Sequence, residues 1–203
     1  DVQSNSDDHF HGISLGEIHV EILSAGHTCE QITSLSNNAP NITGTNANIT
    51  IPANTPFALT CYAVDADGDP LLYCWEQMNN QASTQPPVAT STGGPNFRSN
   101  SPTLDSTRYF PNLADLSAGI SPTWEVIPSV SRTMNFRVTV RDQSLNVPCC
   151  NDHEDVTVTF TASAGPFIVS YPSVTGIVWT TATNETVTWN VANTNIVYLT
   201  ITF

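Results

Sequence analysis

The stretch TMNFRVTVRD at 133–142 and the stretch DVTVTFTA at 155–162 give the strongest structural signal in this chain. In the first of them apolar residues occupy alternate positions, at Met134, Phe136 and Val138. Successive side chains of a strand point to opposite faces, so this alternation is typical of strands that bury one face. Two such strands joined by a loop predict a β-hairpin.

Shorter segments of the same kind lie on both sides of this hairpin. We expect strands near 49–51, over 57–64 and over 71–77, with turns between them. After the SAGPF segment, a second β unit is expected from FIVSYP, GIVWTT, ETVTWNV and IVYLTITF. The predicted fold is mainly β, with Ig-like β-sandwich modules preceded by a short N-terminal helix.

The N-terminal segment has the only pattern that indicates a helix. Ser14 and Glu17 match the S-x-x-E capping box, in which the two side chains satisfy free backbone amides. Gly26 is placed to end the helix. The apolar residues at helical spacing are Leu15, Ile18, Ile22 and Leu23. The pattern predicts one helix of about ten residues, which is too short to be stable without a body to pack on.

The composition excludes two classes of partner. The formal net charge is −13, the chain has no lysine, and its five arginines fall between Arg98 and Arg141. A phosphate-binding surface needs clustered cations, so nucleic acid is not expected as a partner. No run of about 18 apolar residues is present, so no membrane span is expected.

The changes in composition along the chain divide it into segments. Residues 1–33 hold the helix, and the polar stretch 34–48 is expected to be a linker. A β-sandwich is expected over 49–163, with a long insertion at 79–123. Residues 164–203 start a second, incomplete β domain, because a sandwich needs roughly seven strands and this unit has about four.

The five cysteines indicate an oxidising compartment. They include no CxxC pair, so a zinc ribbon is not expected, and disulfides in a secreted protein are the better interpretation. Cys61 and Cys74 flank one acidic turn, and Cys149 and Cys150 lie together in another loop. We expect one or both loops to be cross-linked to each other, because vicinal disulfides are strained. Cys29 is left unpaired within the chain.

The stretch AVDADGDPLLYCWEQ contains alternate aspartates followed by a strand pattern. Asp65, Asp67, Asp69 and Glu76 match positions one, three, five and twelve of an EF-hand loop. However, Pro70 occupies position six, where the EF-hand needs glycine for its sharp turn. A strand rather than a helix is expected to follow, so the EF-hand interpretation is rejected.

A calcium site built from two loops is the alternative for these acids. Ca²⁺ takes six to eight hard oxygen ligands, which loops at one end of a β-sandwich can provide together. The residues expected to supply them are Asp65, Asp67, Asp69, Asp142, Asp152 and Asp155. Two other interpretations stay open: the acids only form strand-connecting turns, or two of them form a glycosidase pair that the sequence does not identify.

The histidines give a weaker metal signal. His9 and His11 form an H-x-H pair, but packing or surface histidines are the commoner case. The chain has no HExxH, no GxSxG and no phosphate loop, so it contains no recognisable catalytic motif. Among the tryptophans, Trp75 and Trp189 are expected in a sandwich core, and Trp124 is the candidate for an exposed carbohydrate platform.

Several stretches together resemble a known family. In chain order they are SDDHFHGISLGEIHVEI, TIPANTPFALTCYAVDADGDPLLYCWEQ, GPNFRS, TRYFPNL, SPTWEVIPSVSRTMNFRVTVRD, CNDHEDVTVT and GPFIVSYPS…ETVTWNVANT. This ordered set resembles the region after the catalytic domain in large secreted bacterial zinc metallopeptidases of the reprolysin-like metzincin type. The resemblance covers nearly the whole chain.

The resemblance implies a non-catalytic accessory or spacer region, and the acidic residues named above would stabilise it by binding Ca²⁺. Residues 1–33 would be the helical tail of a peptidase domain, and 49–163 an Ig-like, PKD-like or cadherin-like module. The family's zinc motif would lie upstream, so no zinc ligand is transferred to this chain, and the partner of Cys29 would be upstream too. The partners would be the peptidase domain and a protein or surface ligand outside the cell. The alternative is an extracellular structural or adhesive protein, in a filament or surface layer, completed by strands from neighbouring subunits.

Overall fold

The computed structural model describes residues 7–24, 33–46, 48–144, 150–174, 176–181 and 183–193. These residues are mainly β, with helix α1 (Gly12–Ile22) near the N-terminus and helix α2 (Leu113–Ala118). The strands are β1 (Asn41–Thr45), β2 (Ile49–Pro52), β3 (Phe57–Val64), β4 (Leu71–Gln77), β5 (Thr107–Phe110), β6 (Arg132–Asp142), β7 (Asn151–Thr161), β8 (Ile168–Tyr171) and β9 (Thr188–Asn190). None of the described helices is long and apolar enough to cross a membrane.

The strands form two larger sheets and one small one. A three-stranded sheet has the order β1-β3-β5, a four-stranded sheet has the order β2-β7-β6-β4, and β8 pairs with β9. The antiparallel β6–β7 pair, with Phe136 opposite Val156, confirms the predicted hairpin. The strands predicted near 49–51, 57–64 and 71–77 are confirmed as β2, β3 and β4, and β2 runs parallel to β7.

The two larger sheets share one hydrophobic core. Phe57 of β3 stacks on Phe110 of β5, with ring centroids 4.8 Å apart. Across the core, the Phe57 ring lies 5.6 Å from the rings of Phe136 and Phe160 in the four-stranded sheet. Trp75 is buried in the same cluster, as predicted. The alternating residues of β6 and β7 therefore face the three-stranded sheet, which is why their pattern indicates strands so clearly.

Two strands were not predicted. β1 lies inside the expected linker, where the sequence NITGT lacks an apolar alternation, and its pairing with β3 is irregular between Ile42 and Gly44. β5 lies inside the expected insertion and pairs with β3. The insertion also contributes Phe97 and Phe110 to the core. Both strands are short, so their pairing depends on β3 rather than on their own sequence.

Helix α1 is confirmed, but its predicted start is wrong. The helix begins at Gly12, two residues before Ser14, and its N-cap residue His11 makes no side-chain cap hydrogen bond. The Gly12 amide instead donates to the carboxylate of Glu76, at 2.6 Å. A tertiary contact therefore replaces the capping box, and it fixes where the helix begins.

The second β unit differs from the prediction in part. β8 and β9 form where FIVSYP and ETVTWNV are expected, whereas GIVWTT, at 176–181, carries no strand. IVYLTITF, at 196–203, lies outside the described residues. The side chain of Trp189 is 40% exposed, so the expectation that it is a core residue is wrong.

The cysteines also require a correction. Cys61 and Cys74 are buried free thiols, so the expected cross-link from their loop to the other loop is not formed. Cys61 lies in β3 and Cys74 in β4, in different sheets. Burial, helped by the charges of Asp152 and Glu154, raises the pKa of Cys61 to about 11, which keeps the thiol protonated and unreactive. Cys150 is disulfide-bonded, while Cys29 and Cys149 lie outside the described residues.

Candidate functional site

The segment before α1 docks on the outer face of strands β4 and β6. We call residues 7–12 the N-terminal anchor. Its backbone carbonyls accept hydrogen bonds from two arginines of β6: Arg137 Nη1 donates to Gly12 O at 3.4 Å, and Arg141 Nη2 donates to Phe10 O at 2.5 Å. These contacts cross more than a hundred residues of sequence, so they form only when the sheet has folded.

Glu76 of β4 is the centre of this docking. Trp75 faces the core, so the pleat directs Glu76 to the outer face. Its carboxylate accepts hydrogen bonds from Gly12 N at 2.6 Å, from Ser99 Oγ at 2.7 Å and from His11 Nδ1 at 2.5 Å. Burial alone would raise the pKa of Glu76, but the hydrogen bonds from Ser99, Gly12 and His11 outweigh it and lower this pKa.

Gly12 packs tightly against the sheet at this contact. A Cβ atom at this position would lie 3.1 Å from Glu76 Oε2 and 3.1 Å from Thr139 Oγ1. The same Cβ would lie 3.2 Å from Cδ of Arg137. A larger residue would therefore require the side chains of Glu76, Thr139 and Arg137 to move by a few tenths of an ångström.

The anchor brings metal-ligating side chains together next to Glu76. One ligand atom from each of Asp7, His9 and His11 lies within 4.8 Å of the other two. A second group within the same limit consists of His9, Cys74 and Glu76. The rings of His9 and His11 have centroids 5.2 Å apart. Among the described residues, imidazole and carboxylate ligands lie close together in these two groups, which share His9. Sequence analysis considered the H-x-H pair but not its neighbours.

Cys74 lies on the outer face of β4, below His9. Its Sγ donates to the carbonyl of Asn100 at 3.4 Å. Burial raises the pKa of Cys74, and the negative charge of Glu76 raises it further, against the opposing effect of Arg141. The thiol is therefore held in its neutral, hydrogen-bonded form.

Asp155 is not part of any acidic loop. It lies in β7, opposite Arg137 of β6, and Arg137 donates to its two carboxylate oxygens at 2.7 and 2.8 Å. The hydrogen bond from Arg137 lowers the pKa of Asp155 despite partial burial. Arg137 thus joins β7 to the anchor, and the carboxylate that we expected to bind Ca²⁺ is held in an ion pair.

Asp65, Asp67 and Asp69 do come together in the turn between β3 and β4. Their ligand atoms lie within 4.8 Å of one another. Asp65 Oδ1 accepts from the amides of Asp67 at 2.8 Å and Asp69 at 3.1 Å, which closes the turn. The backbone amide of Asn38 donates to Asp67 Oδ2 at 2.7 Å. The turn interpretation thus accounts for the contacts of Asp65 and Asp67.

Asp142 and Asp152 hold backbone segments near this turn. Asp142 Oδ1 accepts from the amide of Ser144 at 2.7 Å, and Asp152 Oδ2 accepts from the amide of Ile42 at 3.0 Å. In the part of the chain that the structure describes, neither joins the aspartates of the turn in a group of three or more donors. Three of the six predicted ligands therefore lie together in the turn, and Asp142, Asp152 and Asp155 are not grouped with them.

Calcium binding at this end stays a prediction with a direct test. If the turn aspartates bind Ca²⁺, adding millimolar Ca²⁺ to metal-free protein should raise the melting temperature by ligand linkage. We expect Asp67→Asn to remove this shift, whereas Asp115→Asn, in exposed helix α2, should retain it. An unchanged melting temperature of the wild-type protein would reject a calcium site.

A cleft of about 580 Å³ opens beside the anchor. His11, Gln77, Asn80, Phe97 and Trp124 contribute to its walls. Trp124 is half-buried there, so it is one wall of a concave surface rather than the flat exposed platform that we expected.

Sequence reasoning missed Asp7, Cys74 and Glu76 as members of this site. Cys74 and Glu76 are two apart in a strand, which places them on one face, and this alternation was the available signal. The anchor is held on that face by contacts between distant parts of the chain. A pattern of neighbouring residues in the sequence does not reveal such contacts.

Searches of this chain against protein-family models and against curated proteins gave no match.

Proposed function

We propose that this chain is a non-catalytic accessory region of a secreted bacterial zinc metallopeptidase. Strands β1–β7 would form an Ig-like module, and residues 164–203 would begin a second one. The two sheets of three and four strands around one core support this assignment, since Ig-like sandwiches have about seven strands. The module would act as a spacer that holds a neighbouring domain in a fixed place, and the cleft beside the anchor would contact a protein or surface ligand.

One observation carries the proposal. Helix α1 is fixed to the sheet at its first residue, through Gly12 and Glu76, yet its apolar side chains are left uncovered. Val20 and Leu23 are each 70% exposed, and Ile13 and Ile22 are also exposed. Val20 and Ile22 point to opposite sides of the helix, so the exposed apolar surface surrounds it, and so much exposed apolar surface usually marks a contact with another protein. A preceding peptidase domain, as the family resemblance implies, would cover these residues.

Two measurements test the accessory role. The 203-residue chain should not hydrolyse casein, and casein hydrolysis by the pure chain would contradict the proposal. The coding sequence directly upstream of Asp1 should contain HExxHxxGxxH. A secretory signal peptide ending directly before Asp1 would overturn the link to a peptidase.

The small β8–β9 sheet favours a second candidate, an adhesive or structural protein. These two strands pair only with each other among the described residues, and Ile168, Val169 and Trp189 are exposed on them. A two-stranded sheet is marginally stable in water, and its edges can accept a strand from another subunit. The strands of a neighbouring copy would then complete the second unit.

Light scattering separates the two candidates. A self-assembling protein should show a mass that grows with concentration, and Val169→Lys should return it to the monomer mass. Thr133→Lys, at an exposed position of β6, is the matched control and should leave assembly unchanged. A strictly monomeric wild-type chain would reject strand complementation and leave the accessory role in place.

A further inference from the structure

We propose that Asp7, His9 and His11 bind one Zn²⁺ ion on the outer face of β4, with Glu76 holding His11 in position. The ligands come from the N-terminal anchor and follow the pattern D-x-H-x-H. The proposal concerns this chain's own residues and is independent of the accessory role proposed above.

His9 is the first reason. Its side chain is only 9% exposed, and neither ring nitrogen has a hydrogen-bond partner. The nearest carboxylate oxygen outside the site, Asp8 Oδ1, lies 3.6 Å from Nδ1, beyond hydrogen-bond distance. Burying polar nitrogens without partners is costly. A metal ion between His9 and its neighbours removes this cost, because a neutral imidazole nitrogen is a good zinc ligand.

The arrangement around His11 is the second reason. Its Nδ1 meets Glu76 Oε1 at 2.5 Å, and its Nε2 lies 3.0 Å from Asp7 Oδ2. A metal-bound histidine commonly donates its other ring N–H to a carboxylate, which fixes the tautomer and the ring orientation. Glu76 is placed for this role, so Nε2 of His11 is directed towards Asp7 and towards the ring of His9.

The distances and the donor set favour zinc. The three ligand atoms lie within 4.8 Å of one another, whereas ligand atoms around a tetrahedral zinc ion are about 3.4 Å apart. A small closing movement of Asp7 and His11, which are only partly buried, completes the geometry. Two imidazoles and one carboxylate suit Zn²⁺, while Ca²⁺ prefers oxygen ligands alone. Three protein ligands leave a fourth position for water.

Zinc at this position would strengthen the docking of the anchor. The ion would join three residues of a segment that is otherwise held by Glu76, Arg137 and Arg141. Because Glu76 of β4 orients His11 only when the anchor is docked, zinc binding should favour the docked, folded state.

Titration of the metal-free 203-residue chain with ZnCl₂, followed by calorimetry, tests the site. We expect one Zn²⁺ per chain and a higher melting temperature with Zn²⁺. His9→Ala should weaken zinc binding at least 100-fold, and Glu76→Gln should weaken it about 10- to 100-fold. His19→Ala, at an exposed position of α1, is the matched control and should bind as the wild type does.

Cobalt substitution tests the ligands themselves. Co²⁺ in place of Zn²⁺ should give the visible absorption of a site with nitrogen and oxygen ligands, and Cys74→Ser should not change it. A thiolate-to-cobalt absorption band that Cys74→Ser removes would overturn the ligand set. Wild-type protein that binds no zinc, or a folded His9→Ala variant that binds zinc as tightly as the wild type, would overturn the site. Circular dichroism establishes whether that variant is folded, and if it is not, Asp7→Asn replaces it with the same expected loss.

Discussion

Replacing Phe110 with alanine should lower the free energy of unfolding by about 3–5 kcal/mol. Phe110 is fully buried and packs against three other rings of the core. Its ring centroid lies 4.8 Å from that of Phe57, 5.2 Å from Phe97 and 5.0 Å from Phe136. Alanine would remove these contacts and leave a cavity where the two sheets meet. Urea unfolding followed by tryptophan fluorescence measures the change.

Two further variants make this result interpretable. Phe110→Leu fills most of the space, so its loss of stability should be clearly smaller. Leu104→Ala, at a side chain that is 72% exposed, should change stability by no more than about 0.5 kcal/mol. Equal losses in Phe110→Ala and Leu104→Ala would mean that β5 does not close the core between the sheets. The predicted insertion would then be peripheral after all.

Replacing Arg108 with methionine should cost about 3–5 kcal/mol, because it leaves a buried carboxylate without its counter-ion. Arg108 Nη2 and Glu125 Oε1 are 2.7 Å apart, and both side chains are largely buried. The guanidinium also donates to the carbonyls of Trp75 and Arg98, and it lies over the ring of Phe110. Burial lowers the pKa of Arg108, and the charge of Glu125 opposes this effect.

Arg98→Met is the matched control for this substitution. Arg98 is exposed and donates from Nε to the carbonyl of Ser99 at 3.3 Å, so its loss should have little effect on stability. Adding Glu125→Gln to Arg108→Met should restore part of the lost stability, because the unpaired charge is removed. If Arg108→Met unfolds at the same urea concentration as Arg98→Met, the pair is not a structural contact.

The sequence predicted most of the four-stranded sheet. β4, β6 and β7 carry the alternating apolar residues that face the core, so local pattern and tertiary position agree. β1 and β5 did not show such a pattern. The apolar contribution of β5 is concentrated in Phe110, and β1 contributes the partly buried Ile42. Short strands take their conformation from the strand that they join, and here that strand is β3.

The candidate sites show a similar division. The acidic turn was located from its sequence because Asp and Gly at those positions are turn residues whatever the fold. The zinc ligands we propose were visible only as an H-x-H pair. Their environment depends on Glu76, which lies 65 residues from His11 and was noticed only as a rejected EF-hand position.

By itself, the sequence determined that the chain is mainly β, where its longest strands lie and that a helix precedes them. These properties follow from side-chain alternation and turn chemistry within a few residues. Only the tertiary structure decided that the helix begins at Gly12, that Asp155 pairs with Arg137 and that His9 is buried without partners. The helix start and the burial of His9 depend on the outer face of β4 and β6 meeting the anchor, and the ion pair depends on the register of β6 and β7. Glu76, Arg137 and Arg141 of that face bind anchor groups that lie 64 to 131 residues away in the sequence.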